Sequence, residues 1–249
     1  MTDSALDRAG PPDGPLIVFI HGTRLTRSSW GAVMGRLSDS YRCVALDLPG
    51  HGAHAEEPFT LDAAADGVEA TIDAAGGGPA VLVGLSLGGY VAMTVAARDP
   101  GRVRALVLAG STAEPRGLVS TAFRLFAWGL VVVPERPLDA LNTWVFRRRY
   151  APEIAEPIVA SGYWSRGGAE AVMTLAGTRF RDRLKAFGGP ILVINGGLDP
   201  VFRLGESSFL RGIPHVTRRV LPLAAHLTPL DEPDDFSAAV RAFVDGLGD

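Results

Sequence analysis

The chain has 249 residues, of which 47% are hydrophobic and 20% charged, and a formal net charge of −3, the balance of a globular protein with a sizeable core rather than of a disordered or fibrous one. Its basic side is almost entirely arginine, Lys185 being the one lysine, and acids outnumber bases by 27 to 24. No whole-chain field therefore favours nucleic acid or an anionic membrane, and neither is expected as a partner.

Read in order, the opening MTDSALDRAGPPDGP has no apolar core behind a basic start, so no secretory leader is expected there. LIVFI (16–20) is the first of six short runs rich in β-branched residues; CVALDL (43–48), AVLVG (80–84), VRALVLAG (103–110), ILVIN (191–195) and TRRVLPL (217–223) are the others. The first five are apolar at both alternate positions, the pattern of strands covered on both faces of a parallel sheet. Between them lie helical periods. Trp30, Val33, Met34 and Leu37 fall at i, i+3, i+4, i+7, as do Phe236, Ala239, Val240 and Phe243. Thr60 is placed to cap a helix with the stripe Leu61, Ala64, Ala65, Val68 and Ile72, which Gly76 to Gly78 end. Cys43, the one cysteine, lies inside an apolar run and has no internal disulfide partner, which suggests a reducing compartment, the cytoplasm.

Most strand starts are one βα unit apart, but a long stretch between VRALVLAG and ILVIN is helical in pattern and punctuated by prolines. Residues 112–186 are thus expected to form a helical cap over one end of the sheet, with 1–111 and 187–249 as the core. LFAWGLVVV (125–133) is too short to span a bilayer and is expected to be a buried helix face or strand. Trp128, Trp144 and Trp164 lie in this insertion as candidate substrate contacts, and the RRR at 147–149 as a solvated helix face.

The chemistry is expected where AVLVG runs into GLSLGG. Strand, tight turn and helix form the setting of a G-x-S-x-G elbow, in which small neighbours let the backbone turn sharply and expose the hydroxyl of Ser86 as a nucleophile. A serine needs a base. His226, just past the last strand run, is placed to serve, whereas His21, His51, His54 and His215 fit structural, turn or surface positions. Asp199, closing ILVINGGLD, is placed to orient His226, with Asp231 as a nearby competitor. The oxyanion of acyl transfer calls for two amides, expected from Leu87 and Thr23, and Arg24 beside them is a candidate for a substrate carboxylate. No metal-ligand cluster and no dinucleotide fingerprint are present, so neither a metal nor a cofactor is expected.

In HGTRLTRSSW, DLPGHG, GLSLGGYVA, GGLD and AAHLTPLDEPDDF the chain resembles the α/β-hydrolase family over nearly its whole length, and its HG...W spacing resembles the perhydrolase and esterase branch. It departs from that pattern at Thr23, where an aromatic is frequent, at His54 in place of a serine, and at Ala225 in place of a glycine. The resemblance implies an α/β fold with a mostly parallel sheet of about six strands and helices on both faces. CVALDL would lie at one edge, then LIVFI, then the other four in chain order. It also implies the roles of nucleophile, acid and base for Ser86, Asp199 and His226. The expected function is a serine hydrolase of a small to medium, largely apolar carboxylic ester, lactone or thioester, acting through an acyl-enzyme. Carbon–carbon bond hydrolysis, perhydrolysis or cyclisation with the same pair is the alternative reaction. A ligand-binding receptor on the same scaffold is the alternative class, against which an intact catalytic set argues. Dehalogenase and epoxide hydrolase chemistry is not expected, since in the family both need an aspartate where Ser86 stands.

Overall fold

A computed structural model describes residues 5–248. All six runs form strands: β2 (Leu16–Ile20), β3 (Arg42–Leu46), β4 (Ala80–Leu85), β5 (Val103–Ala109), β6 (Ile191–Gly196) and β7 (Val216–Leu221). A seventh, β1 (Leu6–Ala9), pairs antiparallel with β3, Leu6 facing Leu46 and Ala9 facing Cys43. The sheet order is β1-β3-β2-β4-β5-β6-β7, with β2 to β7 parallel. Six strands were expected and seven are found. In LDRA only Leu6 is buried, so this edge strand carries no hydrophobic run and is specified by the hydrogen bonds β3 offers it rather than by its own pattern.

Helices α1 (Gly31–Leu37), α2 (Leu61–Ala74) and α3 (Leu87–Arg98) follow β2, β3 and β4. Five more lie between β5 and β6: α4 (Gly117–Val132), α5 (Glu135–Arg149), α6 (Pro152–Ser161), α7 (Ser165–Leu175) and α8 (Phe180–Phe187). Short α9 (Pro200–Leu204) and α10 (Glu206–Phe209) follow β6, and α11 (Thr228–Asp231) and α12 (Pro233–Asp245) close the chain. Local sequence dictates much of this. Thr60 Oγ1 accepts the Ala63 amide at 3.0 Å and starts α2, whose apolar stripe is buried from Leu61 to Ile72.

Alternate side chains of the central strands feed two cores. Val18, Ile20, Val44, Leu82, Leu106 and Val193 pack with α2, α3 and α8 on one face. Phe19, Ala45, Val83, Val107 and Ile194 pack with α1, α12 and parts of α5 and α6 on the other. Helix α8 belongs to the first layer, its Phe180 ring lying 4.6 Å from that of Tyr90 in α3. Helix α7 packs against α4 and reaches α2 and α3.

LFAWGLVVV departs from expectation. Only Ala127 and Leu130 of α4 are buried, against α7, while Leu125, Phe126, Trp128, Val131 and Val132 are exposed. The segment is apolar around its whole circumference, so its pattern could not reveal that only one side has a partner. Among the described residues no single helix is long and apolar enough to cross a membrane.

Candidate active site

Strand β4 ends at Leu85 and the chain reverses at Ser86, whose backbone stands at φ 52°, ψ −112° before α3 begins. Positive φ is strained for a residue with a Cβ. Here the turn is anchored by the Ser86 amide, which donates to Ala109 O of β5 at 2.7 Å. The helix leaves so close to the strand that a Cβ on Gly84 would lie 2.4 Å from the Gly88 carbonyl carbon. The flanking glycines are what permit this approach, and they leave Ser86 at the carboxyl edge of the sheet beside the amides of the α3 N-terminus.

Asp199 follows β6 and caps α9, one oxygen accepting the amides of Val201 and Phe202 at 3.1 and 3.2 Å. Its other oxygen lies 2.8 Å from His226 Nδ1, an arrangement that puts the imidazole proton on Nδ1 and leaves Nε2 as an acceptor. Burial by itself would raise the Asp199 pKa. The hydrogen bond and charge of His226, aided by the Phe202 and Val201 amides, outweigh it and hold the carboxyl below its ordinary range. The Phe202 ring stacks on the imidazole, centroids 4.8 Å apart and planes 18° from parallel.

The imidazole also rests on Gly110, where a Cβ would lie 2.8 Å from His226 Cε1. Gly110 directly follows Ala109, whose carbonyl holds the Ser86 amide. The structure therefore brings Asp199 and His226 into contact and sets Ser86 on the same dipeptide that supports the imidazole. The Ser86 hydroxyl makes no hydrogen bond among the described residues, and such bonds often tighten only around substrate. Asp231, the competing acid, is engaged elsewhere: it accepts the Ala225 amide at 2.7 Å, the Tyr150 hydroxyl at 2.8 Å and Arg149 Nε at 2.9 Å.

The Thr23 and Leu87 amides, the expected oxyanion donors, have no hydrogen-bond partner among the described residues. Two buried histidines fix the loop that carries Thr23. His21 Nε2 accepts the Leu48 amide at 2.9 Å, with Nδ1 on Gly22 O. His51 Nε2 accepts the Arg24 amide at 3.2 Å, with Nδ1 on Pro49 O. Burial pushes both pKa values down, that of His51 to about 3, so both rings are neutral. Asp47, also buried, accepts the amides of Arg27 and Ala53 at 2.8 and 2.9 Å and pairs with the Arg27 guanidinium.

His21 and His51 take the structural and turn roles expected of them, whereas sequence reading did not foresee their particular contacts or the part of Asp47. Their signal was the DLPGHG turn, visible as a motif but silent about which loop it would grip. Asn195 was missed as well. It ends an otherwise apolar run, accepts the Gly110 amide at 3.1 Å and donates to Thr112 and Glu206 at 2.9 and 2.7 Å.

The four candidate substrate contacts, Arg24, Trp128, Trp144 and Trp164, lie in different settings. Arg24 commits its guanidinium to Asp139 of α5 and Ser165 of α7, both at 3.1 Å, and stacks over Tyr163. Its charge is thus taken up by the insertion rather than left for a carboxylate. Trp128 and Trp144 lie on the exposed faces of α4 and α5. Trp164 lies inward, its Nε1 buried without a partner, and it lines a cavity of about 530 Å³ whose walls include neither Ser86 nor His226. The RRR run is only partly a free face, since Arg147 pairs with Glu156 and Arg149 with Asp231.

A strand-end serine elbow, an imidazole–carboxylate pair after the last two strands and an intervening helical excursion define a hydrolase architecture. Residues 17–239 match the alpha/beta hydrolase family, and the chain belongs to it. Among similar proteins, pimeloyl-[acyl-carrier protein] methyl ester esterase of Neisseria meningitidis serogroup C is 32% identical, covering 97% of this chain and 98% of the relative. The 3-oxoadipate enol-lactonase 2 of Acinetobacter baylyi is 29% identical, covering 96% and 93%. Among solved structures, a thermophilic esterase from Thermogutta terrifontis superposes with a TM-score of 0.82 at 26% identity, covering 98% of this chain and 93% of the other.

Proposed function

We propose that the protein hydrolyses a carboxylic ester or lactone with a small to medium, largely apolar acyl part, using Ser86 as nucleophile, His226 as base and Asp199 as the acid that orients it. The observation that carries this reading is the shared Ala109–Gly110 support. One residue holds the Ser86 amide and the next carries the imidazole that Asp199 fixes at 2.8 Å. Esterase and enol-lactonase relatives that match the chain almost end to end support the same reaction class.

In this reading Ser86 Oγ attacks the acyl carbon while His226 Nε2 takes its proton, and Asp199 stays ionised to stabilise the imidazolium. The Thr23 and Leu87 amides receive the oxyanion. His226 then protonates the departing alcohol, and a water activated by the same nitrogen releases the acid and restores Ser86.

We assign the cap to α4–α7 of the expected 112–186 segment, and place α8 with the core because it packs in the layer of α2 and α3. Support comes from α7, which lies against the loops that follow β2 and β3, a Cβ on Gly168 falling 2.8 Å from Arg24 Cγ and one on Gly167 falling 2.0 Å from Gly50 O. The cytoplasm fits as the compartment, since Cys43, the one cysteine, has no second cysteine with which to form an internal disulfide.

The test is labelling by a fluorophosphonate together with turnover of p-nitrophenyl esters of graded acyl length. Labelling and turnover that both vanish in Ser86→Ala support the reading. Labelling without ester turnover would move it to carbon–carbon hydrolysis or cyclisation, and no labelling to a receptor.

A further inference from the structure

The least explained surface of the molecule is the elbow of α4 and α5, whose axes bend by 109°. On α4, Leu118, Leu125 and Val132 recur at seven-residue intervals and stand on the side opposite Ala127 and Leu130, which pack on α7. Leu118 is 89% exposed, Leu125 62% and Trp128 64%, and on α5 Leu141 is 56% and Trp144 61% exposed. A soluble surface helix is polar on its outer side, and large exposed apolar patches mark interaction sites.

Charge narrows the occupant. Residues 116–149 hold six arginines (116, 124, 136, 147, 148 and 149) and two acids (Glu135 and Asp139), in a chain whose net charge is −3. Asp139 is already paired with Arg24. Arg116, Arg124, Arg136 and Arg148 are exposed and have no ion pair among the described residues, and Arg148 lies over the Trp144 ring at 5.9 Å. A second copy seated here about a two-fold axis would bring this same cationic surplus against itself. An apolar stripe carrying exposed tryptophans, flanked by unpaired arginines, instead suits the boundary between anionic headgroups and acyl chains.

We propose that the α4–α5 elbow docks this protein on an anionic lipid surface, the outer stripe of α4 entering the headgroup layer while Arg124, Arg136 and Arg148 engage phosphates. The whole-chain charge conceals this because the acids lie on other elements. The surface is separate from Ser86 and His226, so the inference does not depend on the hydrolytic reading.

The experiment is flotation of the whole protein with phosphatidylcholine vesicles and with mixed phosphatidylcholine–phosphatidylglycerol vesicles, at low and high salt. The parent should float with the anionic vesicles at low salt, with a blue shift of tryptophan emission, and be released by salt. The pair Leu125→Glu and Val132→Glu should remain unbound. Arg124→Gln with Arg148→Gln should bind about twenty-five-fold more weakly, about fivefold for each arginine, with an unchanged thermal melt. Should the glutamate pair fail to fold, the arginine pair decides. Neither pair should alter turnover of a soluble p-nitrophenyl ester. The proposal is overturned if the parent does not float at low salt, or if the arginine pair binds as the parent does. Concentration-dependent dimerisation or capture by an acidic carrier protein, either one in place of vesicle binding, overturns it as well.

Discussion

Asp231 is hydrogen-bonded to the amide of Ala225, the residue immediately before His226, at 2.7 Å. Its other oxygen takes Arg149 and Tyr150 from the end of α5, so one buried carboxylate ties the helical insertion to the loop that presents the imidazole. Asp231→Ala leaves the Ala225 amide and the Tyr150 hydroxyl without that partner and is expected to cost about 2–3 kcal/mol of stability, read from urea unfolding. Tyr150→Phe, which keeps the carboxylate and Arg149, should cost about 1 kcal/mol.

The two acids near His226 separate by their effect on turnover. Asp199→Asn should lower kcat by about 10⁴-fold by disturbing the imidazole tautomer, with little change in the unfolding midpoint. Asp231→Asn should cost stability and leave most of the turnover rate. A near-parental kcat for Asp199→Asn would remove Asp199 from the mechanism.

Gly84→Ala places a methyl group 2.4 Å from the carbonyl carbon of Gly88, where backbone rather than a flexible side chain must yield. We expect a loss of at least about 3 kcal/mol and failure of fluorophosphonate labelling in the residual folded fraction, measured by thermal melting and gel readout.

The paired histidines predict acid sensitivity with a defined sign. Burial lowers the folded pKa of His21 and lowers that of His51 to about 3, whereas in the unfolded chain both titrate near about 6.5. Below about pH 6.5 the unfolded state binds more protons, so stability is complete above that pH and falls on acidification, by about 1.4 kcal/mol per pH unit for His51 down toward about 3, with His21 contributing in the same direction. Urea midpoints between about pH 7 and about pH 5 should show this slope, and His51→Gln should make it shallower.

Much of the molecule was legible beforehand because buried parallel strands are apolar on both faces and the elbow needs a fixed glycine spacing. LIVFI became β2 residue for residue, and Thr60 caps the predicted helix. The pairing of Asp199 with His226 followed from their positions after the last two strands. Strand β1 was not legible, because LDRA has no periodicity and its order comes from the neighbouring β3. Nor was the orientation of α4, whose apolar circumference cannot say which side has a partner. Arg24 was read as free because its partners, Asp139 and Ser165, lie 115 and 141 residues further along the chain, a separation no local pattern encodes.

Helix α7 touches the segments bearing Thr23 and Gly50 through two positions that lack side chains altogether, Gly167 and Gly168. Along that seam there is no thickness to trim and no room to add. Added bulk is easier to accommodate on the outward faces of α4 and α5 than at the glycine pair, where even a methyl group would push the Thr23–Arg24 and Gly50 segments away from α7.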